Sequence, residues 1–319
     1  MNPPSALTLD PHDPQVVAAL QAEERLFDYY GLSAQTHFVT LPRYGLRMRI
    51  SEIGRGQPIL VVPGNTGEVF PLAPLLAELY GRRIIALNRP GGGGSDGMDH
   101  RQVDLREFAV ETLSAVMDAF QLERVPILAH SFGGHWSLWL ALDHPQRVSA
   151  LALLGVPGNL LTTCPPLALR LTAVPGLNRL LYGAVLPRSP EQALKGLSMV
   201  GHSPETIARL PVAMADCYYY FQSLPYARLA TLSLMEKANR LRGSRPEIRL
   251  DAGQLRRVEA PAAFLWGTQD PFGSLQAGRQ IAGLLPQAGF YPIQGAGHLP
   301  WLDAPAECDR LAREFLAGY

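Results

Sequence analysis

The sequence predicts an α/β protein with a mostly parallel central sheet, helices on both of its faces, and a helical cap inserted late in the chain. Three observations lead to that architecture. Short apolar runs at residues 59–62, 84–87, 125–129 and 150–154 alternate with amphipathic stretches such as 105–120, the pattern of strands buried on both faces by covering helices. One of these runs leads straight into Ser131-Phe132-Gly133-Gly134 and then a helix-like stretch, 136–142. Residues 159–255 carry leucines at helical spacing and several prolines without a clear strand run.

The elements follow in order. Val16, Ala19, Leu20, Leu26, Phe27 and Tyr30 recur at helical spacing and predict an N-terminal helix packed on the main domain. Leu46, Met48 and Ile50 alternate as a strand should, and this strand is expected to pair with 59–62 as a hairpin. Two more strands, 264–267 and 290–293, follow the long gap, and 311–316 closes the chain as a helix, with Asp303 before Pro305 as its expected N-cap. The resulting division is a helical extension at 1–39, a core at 40–158 and 256–319, and a helical cap at 159–255. The cap's Tyr218, Tyr219, Tyr220 and Phe221 are expected to pack between cap and core, the alternative being that some of these side chains line a pocket under the cap.

Composition narrows the partners. The 319 residues are 47% apolar and 18% charged, and 28 basic residues match 28 acidic ones. No net field attracts nucleic acid or an anionic surface, so a small, neutral or modestly charged substrate is expected. Cys164, Cys217 and Cys308 lie far apart without metal-ligand spacing, and neither a disulfide framework nor a metal or other cofactor is expected. The first thirteen residues hold three prolines and two aspartates, unlike a secretory signal, and no apolar stretch approaches membrane-spanning length. A cytoplasmic protein is the expectation.

The chemistry is concentrated at V-P-I-L-A-H-S-F-G-G, residues 125–134. A serine between a strand and a helix, with small residues two positions before and after it, has the layout of a nucleophile elbow. Here those residues are Ala129 and Gly133. The turn at the helix start also leaves the N–H of Phe132 available to a developing oxyanion. Serine needs a base and an orienting group. His298, in G-A-G-H-L-P-W after the last strand, is the candidate base, and Asp270, in F-L-W-G-T-Q-D-P, is the candidate carboxylate. A second oxyanion donor is expected after 59–62, where Gly64 permits a sharp turn and Asn65 supplies the N–H. His130 is expected to support the turn, while His100 and His202 have no partner evident from sequence. Asp96 and Asp143 lie away from the expected carboxylate position. The glycine run at 91–94 lacks the Lys-Ser/Thr that a phosphate-binding loop requires.

Ser131, Asp270 and His298 in that order, together with N-R-P-G-G-G-G-S-D at 88–96, resemble the α/β-hydrolase superfamily in its lidded, cofactor-independent branch. The resemblance covers about residues 40–158 and 256–319. It departs from the family pattern at Ala129, where glycine is usual, and at Pro63, where the oxyanion loop usually has histidine. It implies a serine hydrolase acting through an acyl-enzyme, with activity falling at acidic pH. The apolar cap favours a carboxylic ester or lactone. The same triad would serve a carbon–carbon bond hydrolase, a perhydrolase or an acyltransferase, and a non-catalytic ligand-binding protein of this fold is a further alternative.

Overall fold

A computed structural model describes residues 6–155 and 158–319. Helix α1 (Pro14–Tyr29) precedes β1 (Ala34–Leu41), β2 (Leu46–Gly54) and β3 (Gln57–Val62). Helix α2 (Ala73–Glu78) leads to β4 (Arg82–Leu87), and α3 (Leu105–Ala119) to β5 (Val125–His130). Then come α4 (Phe132–Asp143) and β6 (Val148–Leu154). After the cap, whose longest helices are α5 (Val212–Ser223) and α6 (Pro225–Ala238), the core resumes with β7 (Ala262–Gly267), α7 (Leu275–Ala282), β8 (Ala288–Ile293) and α8 (Pro305–Leu316).

Among the described residues the sheet runs β1-β2-β4-β3-β5-β6-β7-β8, with β2 antiparallel to both of its neighbours, β1 and β4, and every other pairing parallel. Alternate residues of β3 explain why the strands read as unbroken apolar runs. Leu60 and Val62 join one apolar layer with Phe108 and Trp136, while Ile59 and Val61 join the other with Phe70 and Trp301. Each such buried side chain contributes roughly 1.5–3 kcal/mol of transfer free energy.

The expected hairpin between the strand at Leu46 and the strand at Ile59 does not form. Strand β4 lies between them, parallel to β3 and antiparallel to β2. The Gly54-Arg55-Gly56 link explains the displacement. A Cβ on Gly56, at φ +121, would collide with the Gly81 carbonyl, so the link crosses the start of β4 instead of closing a tight turn. The hairpin partner of β2 is β1, joined through the left-handed Gly45 at φ 61. Because β1 starts at Ala34, the sheet takes in the end of the expected 1–39 extension.

Helix α1 packs chiefly against the cap helix α5 instead of on the core alone. Arg25 meets Asp216 of α5 at 3.1 Å, and the buried Glu23 carboxylate accepts from Arg49 of β2. The cap is closed at its base, where the Leu250 N–H donates to the Asn159 carbonyl at 3.1 Å and the Leu161 N–H to the Leu250 carbonyl at 3.0 Å. Asp303 does not cap the last helix. Ala304 occupies that place with no side-chain bond, and Pro305 at the first helical position has no N–H to satisfy. No helix of the described residues is long and apolar enough to cross a membrane.

Candidate active site

Ser131 sits where β5 ends and α4 begins, at φ 50 and ψ −123. A positive φ on a residue with a Cβ costs roughly 1–3 kcal/mol and persists only where surroundings enforce it. The enforcement is visible: the Ser131 N–H donates to the Leu154 carbonyl at 3.1 Å, and Gly133 packs directly against the end of β3. A Cβ on Gly133 would collide with the carbonyl oxygens of Val62 and Pro63. Ala129 is fully buried in β5, where a single methyl fits.

The three residues expected to act together meet, although they come from loops far apart in sequence. The Ser131 hydroxyl donates to His298 Nε2 at 2.7 Å, and His298 Nδ1–H donates to Asp270 Oδ2 at 2.8 Å. Asp270 is itself oriented, because its Oδ1 accepts the Phe272 N–H at 2.9 Å. All three residues are buried. The chain of bonds fixes the imidazole tautomer, with the proton on Nδ1 and a lone pair on Nε2 facing the hydroxyl.

Two aromatic neighbours hold His298, and only one was expected to matter. Phe272 stacks on its ring at a centroid separation of 4.0 Å and 14° between planes. Sequence reasoning missed it, though its position two residues after Asp270 was a usable signal. His130, expected to support the turn at Ser131, bonds to the base loop, donating from Nε2 to the His298 carbonyl at 3.2 Å. Burial, followed by the proximity of His298, pushes the His130 imidazole well below the usual histidine range. It is therefore a neutral structural donor.

Of the two expected oxyanion donors, Phe132 directly follows the serine and Asn65 follows Gly64, which packs against it. Phe132 is the first residue of α4, so its N–H has no intrahelical acceptor. Asn65 follows Gly64, where an added Cβ would come 3.4 Å from Ser131 Cβ and 2.7 Å from His130 Nδ1. The Gly67 N–H closes this turn onto the Gly64 carbonyl at 3.1 Å, and the buried Arg89 also donates to that carbonyl. Arg89 lies 4.6 Å from the Trp136 ring centroid. Burial lowers its guanidinium to about 9, against the raising influence of Glu68. Burial pushes Glu68, in the same loop, up to about 7.

The remaining candidates have structural tasks. The glycine run forms a turn in which the Asp96 carboxylate accepts from the Leu9 and Arg47 N–H groups at 2.9 and 2.8 Å. Asp143 is paired with Arg106 at 2.6 Å. His100 faces the Ala230 carbonyl and Ser233 of α6 at 3.2 and 3.3 Å. His202, without a partner evident from sequence, does have one: Asp303, 2.7 Å away. The cap aromatics pack on the core, with Tyr218 edge-on to Phe70 at 4.9 Å and Phe221 stacked on it at 5.6 Å. Among the described residues no group of three His, Cys, Asp or Glu could hold a metal ion.

A serine on a strained strand-to-helix turn, on a doubly covered parallel sheet, defines a hydrolase of the α/β class. The family model described as alpha/beta hydrolase fold matches residues 57–305, and the chain belongs to that family. It is similar to a 2-hydroxy-6-oxononadienedioate/2-hydroxy-6-oxononatrienedioate hydrolase of Cupriavidus pinatubonensis, at 27% identity over 89% of this chain and 96% of the relative. It also resembles a 2-hydroxy-6-oxo-6-phenylhexa-2,4-dienoate hydrolase of Burkholderia cepacia, at 25% identity over 90% of this chain and 98% of the relative. Among solved structures, naproxen esterase from Bacillus subtilis superposes with a TM-score of 0.69 at 14% identity, covering 97% of this chain and 99% of the esterase.

Proposed function

We propose that this protein is a serine hydrolase that cleaves a carboxylic ester or lactone through an acyl-enzyme on Ser131. The observation that carries the reading is the hydrogen-bonded chain from the Ser131 hydroxyl through His298 to Asp270. His298 Nε2 takes the serine proton as Oγ attacks the carbonyl carbon, and Asp270 stabilises the imidazolium that forms. The N–H groups of Phe132 and Asn65 receive the oxyanion. His298 then returns the proton to the departing alkoxide. Water, deprotonated by the same imidazole, releases the acid in the second half. The balanced charge of the chain and the apolar cap packing support a neutral or modestly charged, moderately apolar substrate of small to medium size.

A second reading is favoured by the relatives, whose names describe hydrolases of 2-hydroxy-6-oxo-dienoates and match about nine-tenths of the chain. The same triad would then cleave a carbon–carbon bond beside a carbonyl. The deciding experiment pairs p-nitrophenyl esters of graded acyl length with a 2-hydroxy-6-oxo-dienoate, each run on the parent and on Ser131→Ala. Ester turnover lost in the variant supports the first reading. Dienoate turnover with silent esters selects the second, and retained turnover in Ser131→Ala removes the serine from both.

A further inference from the structure

The described residues contain a second Asp–His pair, and it joins the cap to the loop that carries His298. His202 follows Gly201 in the cap and precedes the short helix Pro204–Ala208, and its side chain is fully buried. Its Nδ1–H donates to Asp303 Oδ2 at 2.7 Å, and its Nε2 accepts the Leu299 N–H at 3.2 Å. The same Asp303 oxygen accepts the Gly297 N–H at 2.8 Å, while Oδ1 accepts the Thr206 hydroxyl at 2.7 Å. The His298 N–H donates to the Val200 carbonyl at 2.9 Å. Three consecutive amides, at Gly297, His298 and Leu299, are thus held by the cap stretch 200–206 or by the carboxylate that stretch orients.

Steric fit adds an independent observation. Gly201, at φ +91, lies so close to the loop of Asp270 that a Cβ would collide with the Gln269 carbonyl, and that Cβ would lie 3.2 Å from Gly297 Cα. A Cβ on Gly297 would stand 2.7 Å from the Gly201 carbonyl carbon and 2.8 Å from the Val200 oxygen. The cap segment is therefore wedged, backbone to backbone, between the two loops that bring the acid and the base to the serine.

We propose that His202 is a positioning residue: through Asp303 and the Leu299 amide it fixes the 297–299 backbone, and with it the alignment of His298 on Ser131. The proposal rests on Ser131 and His298 being nucleophile and base. A histidine that merely pins the cap would, when replaced, lower stability without slowing each folded molecule. A positioning histidine slows the chemistry itself, because small displacements of a reacting group carry large rate penalties.

His202→Phe, His202→Gln and His202→Asn separate these roles. Glutamine can present an acceptor where Nε2 lies and asparagine a donor where Nδ1 lies, whereas phenylalanine offers neither. Three readouts are compared: hydrogen exchange of the segment 295–303, the rate of Ser131 labelling by an alkyl fluorophosphonate, and p-nitrophenyl butyrate turnover. In the phenylalanine variant, exchange at 297–299 should accelerate, and labelling rate and kcat should fall roughly 10- to 100-fold with KM little changed. Glutamine should restore protection of the Leu299 amide more than asparagine does. Thr206→Val, which removes one bond to Asp303, should give a weaker form of the same pattern and provides the test if His202→Phe does not fold. Folded variants that melt earlier yet keep labelling rate and kcat would overturn the proposal, as would unchanged exchange at 297–299. Faster exchange in variants of a parent that is neither labelled nor active would retain the clamp and overturn the assignment of Ser131 and His298 instead.

Discussion

Gly133 lies directly against the carbonyl oxygen of Pro63, so closely that a single added methyl would collide with it. The contact ties the first turn of α4 to the end of β3, and so ties the serine to the loop that carries Asn65. Gly133→Ala should therefore cost about 1–3 kcal/mol, the range for overpacking a tight site. Urea unfolding of the variant beside the parent measures it, and equal midpoints would contradict the close fit.

The backbone at Ser131 makes a prediction that separates strain from chemistry. Ser131→Ala and Ser131→Gly both remove the hydroxyl, and both should lower kcat by roughly 10⁴ to 10⁶. They should differ in stability, because only glycine adopts φ 50 without penalty. Thermal melting should place the glycine variant about 1 kcal/mol above the alanine variant. The reverse order would argue that the elbow is not strained.

Asp270 accepts at both carboxylate oxygens, from Phe272 N–H and from His298 Nδ1–H. In Asp270→Asn the amide oxygen should stay on the Phe272 N–H and the amide nitrogen should face His298. The imidazole would then accept at Nδ1 and carry its proton on Nε2, which disables it as a base toward the serine. A fall in kcat of about 10⁴, with the fold intact by circular dichroism, is expected. A loss below tenfold would show that the carboxylate does not set the tautomer.

Glu68 supplies a pH dependence. Its carboxyl titrates at about 7 when folded because burial disfavours the charge, against 4.5 without that environment. Below the lower value both states are protonated and nothing is lost. As pH rises from there to about 7, the unfolded chain releases its proton first, so the folded state loses stability by about 3 kcal/mol. Glu68→Gln lacks this loss. Its stability relative to the parent should rise by that order between pH 4.5 and about pH 8, as urea unfolding at the two values would reveal. Parallel curves would contradict the buried, raised carboxyl.

What could be read from the sequence was what is local in the chain. The buried strands declared themselves because both faces are covered, and the elbow because strand, serine and small residues lie within ten positions. Pairing partners are less accessible: β2 and β3 are neighbours in sequence, which predicts a hairpin, whereas β4 intervenes. Edge strand β1 carries no clean apolar alternation, although Thr36, Phe38, Val39 and Thr40 favour extended backbone. Asp303 before Pro305 satisfied a local capping rule, but its acceptors are taken by Gly297, His202 and Thr206, the last two about a hundred residues away.

The closure of the cap at Asn159 and Leu250 means that the insertion leaves and re-enters the core at neighbouring points. In topology it is an insertion that contributes no strand to the eight-stranded sheet. The stretch at 200–206 breaks that independence. If His202 positions His298 as proposed, replacing the cap would also replace part of what aligns that imidazole on Ser131.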